Sequence, residues 1–125
     1  MITLWHVLEH IHDINETITD IRKLLTKTGR LIIAVPNYES LDQQIYKEHW
    51  AAYDVPRHLY HFNQLTIKEL MKYNGFDLVE TKPMKLDAYY VSMLSEKIKN
   101  NKNNLIKSIV NGWKSNRWAA NNNIN

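Results

Sequence analysis

The sequence predicts an α/β fold in which helices flank a mostly parallel sheet. Two short apolar runs, at residues 2–8 and 31–35, are typical of strands that are buried on both faces of such a sheet. Between them, apolar residues recur at helical spacing, which indicates an amphipathic helix. Together the three segments predict a β-α-β unit with a right-handed crossover.

The bounds predicted for this unit are residues 2–7 and 30–35 for the strands and 14–28 for the helix. Asp13 begins a capping-box motif before the helix, and Gly29 is expected to end the helix in the left-handed conformation. Parallel strands place their carboxyl ends at one edge of the sheet, where open α/β sheets bind ligands. The polar residues that follow each strand are therefore the first candidates for a site.

Four further elements are predicted in the rest of the chain. They are a helix near 40–47, a helix near 65–74, a third strand near 76–82 and a helix near 86–99. Thr66 with Glu69 is expected to cap the second of these elements, and Gly75 to end it. Pro83 limits the third strand and places it near a sheet edge.

The segment from residue 38 to residue 63 is long for a loop, and it is rich in aromatic residues and histidine. Loops of this length in compact domains usually cover a site, bind a ligand or are disordered. The aromatic content argues against disorder. We predict that the segment covers the substrate side of the crevice, with the alternative that its aromatic side chains only close the core.

Composition excludes several classes of protein. The chain has no cysteine, so disulfides and thiolate metal sites are excluded. No run approaches the roughly 20 apolar residues of a membrane span, and no export leader is recognisable. No membrane partner is therefore predicted, and the cytoplasm is the default location.

The positive charge is concentrated in the last segment of the chain. Residues 100–125 hold four basic and no acidic side chains, so residues 1–99 sum to −1 of the net +3. On this basis we divide the chain into a domain at 1–99 and an Asn-rich basic tail at 100–125. One helix over Leu105–Trp113 is expected in the tail, with no packing partner in this chain.

Four segments carry a family resemblance through their order and spacing: ITLWHVLEHIHD, LLTKTGRLIIAVPN, HWAAYDVPRHLYHF and LMKYNGFDLVE. They resemble the later half of a class I S-adenosylmethionine-dependent methyltransferase. Within that family the sequence is most similar to the small-molecule branch that includes the ubiquinone-biosynthesis O-methyltransferases. The resemblance implies a Rossmann-like fold, S-adenosylmethionine as the cofactor, and methyl transfer to a small-molecule acceptor.

Two motifs of that family have no counterpart in this sequence. They are the Gly-rich cofactor loop and the acidic residue that holds the ribose, and none of the three glycines lies within four residues of another. The chain is therefore expected to be a fragment that lacks the N-terminal cofactor-binding strands and the final antiparallel strand. Such a fragment is expected to be inactive alone and to self-associate through an exposed sheet edge.

The predicted site residues come from the resemblance and from the chemistry of the aromatic loop. The resemblance implies that the segment after the first strand lies beside the cofactor and the acceptor. In the loop, aromatic side chains suit an acceptor pocket, and an imidazole that titrates near neutral pH suits proton transfer. The candidates are Trp5, His6 and Val7 for the cofactor; Glu9, Trp50, Tyr53 and Arg57 for the acceptor; and His10, His58 and His61 for catalysis.

Other interpretations of these residues stay open. His10 would in the simplest case only cap the loop into the first helix through hydrogen bonds. No metal site is predicted, because the order Glu9-His10 differs from the HExxH pattern of zinc proteases. Two alternative functions are a histidine-based metal hydrolase and a binding module that uses the basic tail with Trp113 and Trp118. Four charges are too few to predict a nucleic-acid partner.

The missing motifs lead to a prediction about cofactor binding. We expect these 125 residues to bind S-adenosylmethionine no more tightly than the millimolar range. Losing several charge-assisted hydrogen bonds, each worth about 1.5–3 kcal/mol, removes most of the roughly 8 kcal/mol of a micromolar complex. Equilibrium dialysis with labelled cofactor measures this directly. A dissociation constant in the low micromolar range would contradict the expectation that the chain is a fragment.

Overall fold

The computed structural model describes residues 1–101 and 104–122, with side chains described up to residue 121. The chain forms two compact units. We call Met1–Pro36 with Val55–Val79 the sheet unit, and Asn37–Asp54 with Glu80–Asn125 the helical unit. No helix in the described part of the chain combines the length and the hydrophobicity that crossing a membrane requires.

The sheet unit is built on two parallel strands. Strand β1 is Ile2–Trp5 and strand β2 is Leu31–Ala34, with Ile2 opposite Leu31 and Trp5 opposite Ala34. Helix α1, Ile14–Leu24, lies between them in the chain, as a parallel pair requires. This confirms the predicted α/β class and the β-α-β order.

The core of the sheet unit joins residues that are far apart in the sequence. The helix Gln64–Tyr73, numbered α3 in chain order, contributes Met71, and Phe62 precedes it. Both side chains are buried with residues from the segment after β1 and from α1, which are Leu8, Ile14 and Ile18. Burying an apolar side chain of this size stabilises the fold by about 1.5–3 kcal/mol, so these contacts hold residues 55–79 against the strands.

The predicted third strand is wrong. Residues 76–82 form no strand, and the sheet of the described chain contains β1 and β2 only. Leu78 and Val79 are 54% and 82% exposed, and only Phe76 packs against the core. The alternating pattern indicated a strand, but a strand also needs a hydrogen-bonded neighbour, and this segment has none.

The helix ends of the sheet unit differ from the predictions at three points. Helix α1 ends at Leu24, four residues earlier than expected, and the Asp13 side chain makes no capping hydrogen bond. Gly29 does not adopt a positive φ. The capping box of α3 is formed by Asn63 and Thr66, because the helix begins at Gln64. The predicted Thr66–Glu69 capping box is therefore wrong, because the helix begins about one turn earlier in the sequence.

The predicted end of α3 is confirmed. Gly75 has a φ of +79°, in the left-handed region that glycine adopts without a steric penalty. Its amide donates to the Lys72 carbonyl over 3.0 Å, which closes the last turn. A Cβ at this position would also displace the Arg22 guanidinium, which is the mobile end of a flexible side chain, so the backbone angle is the reason that the position favours glycine.

The helical unit contains the three remaining helices. They are α2 at Leu41–Tyr46, α4 at Lys85–Asn100 and α5 at Leu105–Asn122. Two short 3₁₀ turns, Lys47–His49 and Ala51–Tyr53, follow α2. The helices predicted near 40–47 and 86–99 are thus confirmed, and the helix predicted in the tail is longer than expected.

The expectation that the tail helix has no packing partner is wrong. Within the helical unit, α5 makes buried hydrogen bonds to α2. Asn111 donates to the Tyr46 hydroxyl over 2.9 Å, and the Ser115 hydroxyl donates to Asp42 over 2.7 Å. Asp42 also accepts a 2.8 Å hydrogen bond from the Trp50 indole. The prediction failed because it looked for an apolar face, whereas α5 buries a polar one.

We predict that Ser115→Ala lowers the free energy of unfolding by about 1–3 kcal/mol, because it leaves a buried carboxylate oxygen of Asp42 without its donor. Ser108→Ala is the matched control. Ser108 is equally buried on the same helix, but its hydroxyl donates to the Asn104 carbonyl of its own helix. Urea denaturation of both variants measures the difference. Equal losses in the two variants would contradict the proposed importance of the Asp42 contact.

Candidate active site

The site begins where β1 ends. The His6 amide donates to the Ala34 carbonyl over 3.0 Å, which is the last contact between the two strands. His6 has a φ of 51°, a left-handed conformation that non-glycine residues adopt at a cost and often near functional sites. The chain then turns into a 3₁₀ helix, Leu8–His10, whose first residue is fully buried in the core. The turn therefore has a fixed position at the carboxyl end of the sheet.

Glu9 lies at the centre of this turn and is completely buried. Its backbone carbonyl accepts hydrogen bonds from the Leu59 amide at 2.8 Å and from the Tyr60 amide at 3.3 Å. Tyr60 adds a hydrogen bond from its hydroxyl to the His12 carbonyl at 3.1 Å. These bonds hold residues 57–61 beside the end of β1.

The Glu9 carboxylate is surrounded by imidazoles. The Oε1 atom is 3.4 Å from His6 Nδ1 and 3.9 Å from His58 Nε2. Neither carboxylate oxygen has a hydrogen-bond partner among the described residues. Burial alone would raise the pKa of Glu9, but the close contact with His6, the local backbone amide and the charge of His58 outweigh it and lower the pKa below 4.5.

The orientation of His10 is set by the main chain. Its Nδ1 lies 3.0 Å from the Arg57 carbonyl, and a carbonyl only accepts hydrogen bonds. The Nδ1 atom therefore carries the proton, and Nε2 carries the lone pair when the ring is neutral. The simplest interpretation gave His10 a hydrogen bond that caps the loop into α1. A hydrogen bond is present, but it joins His10 to the Arg57 carbonyl and does not cap this helix. The other nitrogen keeps its capacity to bind a proton or a ligand.

The structure brings together most of the predicted site residues of the sheet unit. The His10 and His58 rings meet edge to face with centroids 4.6 Å apart, and the His61 ring lies 6.3 Å from that of His58. Trp5, the last residue of β1, and Val7, in the turn that follows, are 54% and 40% exposed. Arg57 contributes its carbonyl to His10, whereas its predicted role in acceptor binding stays a prediction.

Trp50 and Tyr53 belong to the helical unit and pack within it. Trp50 is 4% exposed and packs edge to face on Tyr53, with ring centroids 5.1 Å apart. The Tyr53 hydroxyl accepts a 2.8 Å hydrogen bond from Gln43. Trp50 therefore agrees with the alternative prediction, in which the aromatic side chains of residues 38–63 close a core. The acceptor-binding role given to both residues stays a prediction.

The lowered pKa of Glu9 predicts a pH dependence of stability. Because the pKa is lower in the folded state than in the unfolded state, the ionised carboxylate adds stability above about pH 4.5. That stability is lost as the pH falls through the folded-state pKa. We expect Glu9→Gln to remove part of the acid sensitivity of unfolding between about pH 6 and pH 3.

Glu69→Gln is the control for this measurement, because Glu69 is an exposed glutamate of the same unit. Denaturation is followed at several pH values with a chelator in every buffer, so that no trace metal contributes. An acid sensitivity in Glu9→Gln equal to that of Glu69→Gln would show that the Glu9 carboxylate has no special role in stability.

The comparison with known families agrees with this geometry. A family model described as a methyltransferase domain matches residues 1–81, which is more than half of the chain. The match includes β1, β2 and the side chains around Glu9, which we call the Glu9 cluster: His6, Glu9, His10, His58 and His61. No curated protein and no solved structure gives a significant match. A parallel β-α-β unit with polar residues at the carboxyl ends of its strands is the arrangement by which open α/β sheets hold their ligands. The chain therefore belongs to the methyltransferase domain family.

Proposed function

We propose that the protein takes part in methyl transfer from S-adenosylmethionine to a small-molecule acceptor. The observation that carries this proposal is the family match over residues 1–81, together with the Glu9 cluster at the carboxyl end of β1. The family match favours methyl transfer over a metal hydrolase or a nucleic-acid-binding tail. The acceptor class and the O-methyl chemistry come from the resemblance of the sequence to the ubiquinone-biosynthesis branch.

The residues of the β1 turn suit the methionine part of the cofactor. When bound, S-adenosylmethionine supplies a methyl group on a sulfonium that is itself the leaving group. Trp5 exposes 54% of its surface beside the turn, and an indole face attracts a cation at about 0.5–1 kcal/mol. His6 and Val7, which follow it, are exposed as well. We therefore assign these three residues to the methionine and sulfonium end.

The histidines suit the acceptor side. An acceptor hydroxyl must lose its proton as its oxygen forms a bond to the methyl carbon and the carbon–sulfur bond breaks. His10, His58 and His61 lie close together, and a neutral imidazole accepts a proton at neutral pH. The chain's other contribution is orientation, since holding two reactants in line lowers the barrier without further chemistry.

A titration followed by NMR tests this proposal even where the affinity is weak. In ¹⁵N-labelled protein, we expect millimolar S-adenosylmethionine to shift the Trp5 indole signal and the amide signals of residues 5–7. Trp113 is the internal control, because it is exposed to a similar degree, 50% against 54%, and lies in the helical unit. Methionine should cause part of the same shifts and adenosine none, because the assigned residues contact the methionine end.

The assignment of signals is secured with Trp5→Phe, which removes one indole signal. The proposal would fail if the shifts spread equally over all four indoles, or if they were confined to the helical unit. It would also fail if saturating cofactor left residues 5–7 unchanged.

A further inference from the structure

The cluster around Glu9 has the composition of a metal site. Glu9, His10 and His58 each offer one ligand atom, and these atoms all lie within 4.8 Å of one another. We propose that the three residues bind a divalent transition-metal ion of the zinc class, with one coordination position left for the acceptor. The metal site itself follows from the side chains, whereas its role beside the acceptor rests on the proposed function.

Glu9 gives the first reason for this proposal. Its side chain is fully buried, and both carboxylate oxygens lack a hydrogen-bond partner among the described residues. Buried carboxylates in proteins are normally hydrogen-bonded, paired with a charge or bound to a metal. The imidazole contacts at 3.4 and 3.9 Å are longer than hydrogen bonds. A cation between Glu9 and the histidines would satisfy the carboxylate.

His10 gives the second reason. Metal-binding histidines usually donate their other ring N–H to a carbonyl or a carboxylate, which fixes the tautomer and orients the ring. His10 has this arrangement, because its Nδ1 bonds the Arg57 carbonyl at 3.0 Å and Nε2 keeps the lone pair. The carbonyl in turn belongs to the segment that the Glu9 backbone holds through Leu59. The ring is therefore oriented in advance by the fold.

The distances of His58 fit a metal of zinc size. Two ligands bound to one zinc ion at 2.0–2.2 Å lie about 3.4 Å apart in tetrahedral geometry. The His58 Nε2 atom is 3.9 Å from Glu9 Oε1, so a shift of about 0.5 Å brings both atoms into place. The His58 side chain is 9% exposed, which limits the motion of the ring.

The donor set selects the class of metal. Two imidazoles and one carboxylate form a set that binds zinc or iron in many proteins, whereas magnesium prefers oxygen ligands only. Three protein ligands also leave one position open, which is the property of catalytic rather than structural zinc sites. A hydroxyl oxygen of the acceptor would fill it.

The metal would change how the acceptor is activated. A hydroxyl bound to zinc loses its proton more readily, as zinc-bound water does. His61, whose ring is 6.3 Å from that of His58 and which is not one of the three ligands, would be the group left to take the proton. The acceptor oxygen would then form the new bond to the methyl carbon while the carbon–sulfur bond of the donor breaks. With a metal bound, His10 and His58 would be ligands, so of the three histidines proposed above as proton acceptors only His61 would keep that role.

Metal binding is tested on the whole chain without any methyl donor. The polyhistidine tag is removed and the protein is treated with a chelator. Calorimetric titration with zinc chloride is then expected to give one site with a dissociation constant in the micromolar range, and magnesium chloride none. In parallel, the ring signals of His10 and His58 in ¹H–¹⁵N spectra are expected to shift on zinc addition.

Three variants locate the site. Glu9→Gln keeps the shape of the side chain but removes its charge, and His58→Ala removes one ligand; each should weaken zinc binding roughly 100-fold. His49→Ala is the matched control, because His49 lies beside Glu48 in the helical unit, and its zinc affinity should equal that of the wild type. Circular dichroism shows whether each variant is folded. If a variant is unfolded, the zinc-dependent shifts of the His10 and His58 signals in the wild type decide whether these residues bind the metal.

Three results would overturn the proposal. The first is a dissociation constant for zinc above about 0.1 mM, which corresponds to a binding free energy of about 5.5 kcal/mol. The second is zinc binding that Glu9→Gln and His58→Ala leave unchanged. The third is zinc binding that does not shift the ring signals of His10 and His58. Since no cofactor is present, these results are independent of the cofactor titration. If zinc binds but S-adenosylmethionine causes no shifts at Trp5, the metal site stands and the methyl-transfer proposal fails. If S-adenosylmethionine shifts the Trp5 signals but zinc does not bind, the methyl-transfer proposal stands and the metal site fails.

Discussion

The backbone carbonyl of Glu9 is the contact on which the site depends. It joins the turn after β1 to residues 59 and 60, which lie about fifty positions later in the sequence. Together with the hydrogen bonds from His10 to the Arg57 carbonyl and from Tyr60 to the His12 carbonyl, these bonds fix the position of His58 and His61 relative to His10. Leu8, in the same turn, is fully buried in the core of the sheet unit. The core therefore sets the position of its neighbours in the chain, Glu9 and His10.

A buried carboxylate among imidazoles is an expensive arrangement. Removing a carboxylate from water costs several kcal/mol unless nearby charges or donors replace the water, and at Glu9 the His6 and His58 imidazoles lie 3.4 and 3.9 Å away. A buried carboxylate among imidazoles, placed at the carboxyl end of parallel strands in a methyltransferase domain, is a candidate for a binding or catalytic role.

The helical unit buries polar side chains where the sheet unit buries mainly apolar ones. Its tail helix α5 turns serine and asparagine toward Asp42 and Tyr46, while Ile106, Ile109 and Trp113 are at least half exposed. The buried face is stabilised by directional hydrogen bonds, each of which requires its own partner. Such a face tolerates few substitutions, because each lost partner leaves a buried polar group without a hydrogen bond.

The sequence by itself determined the elements that depend on local periodicity. The apolar runs placed β1 and β2, the helical spacing placed α1, and Gly75 marked the end of α3 because only glycine adopts its backbone angle without a penalty. The order of motifs also determined the family, and the rule for parallel strands placed His6, Glu9 and His10 at the functional edge.

Only the tertiary structure decided which of these residues meet. The burial of Glu9, its contact with His58 and the tautomer of His10 depend on hydrogen bonds between segments distant in sequence. The same holds for residues 76–82, where a strand-like pattern found no neighbour, and for α5, whose polar face found one in Asp42. Periodicity reports how one segment divides between apolar and polar faces. Pairing depends on what the rest of the chain places opposite that segment, and no local pattern contains this information.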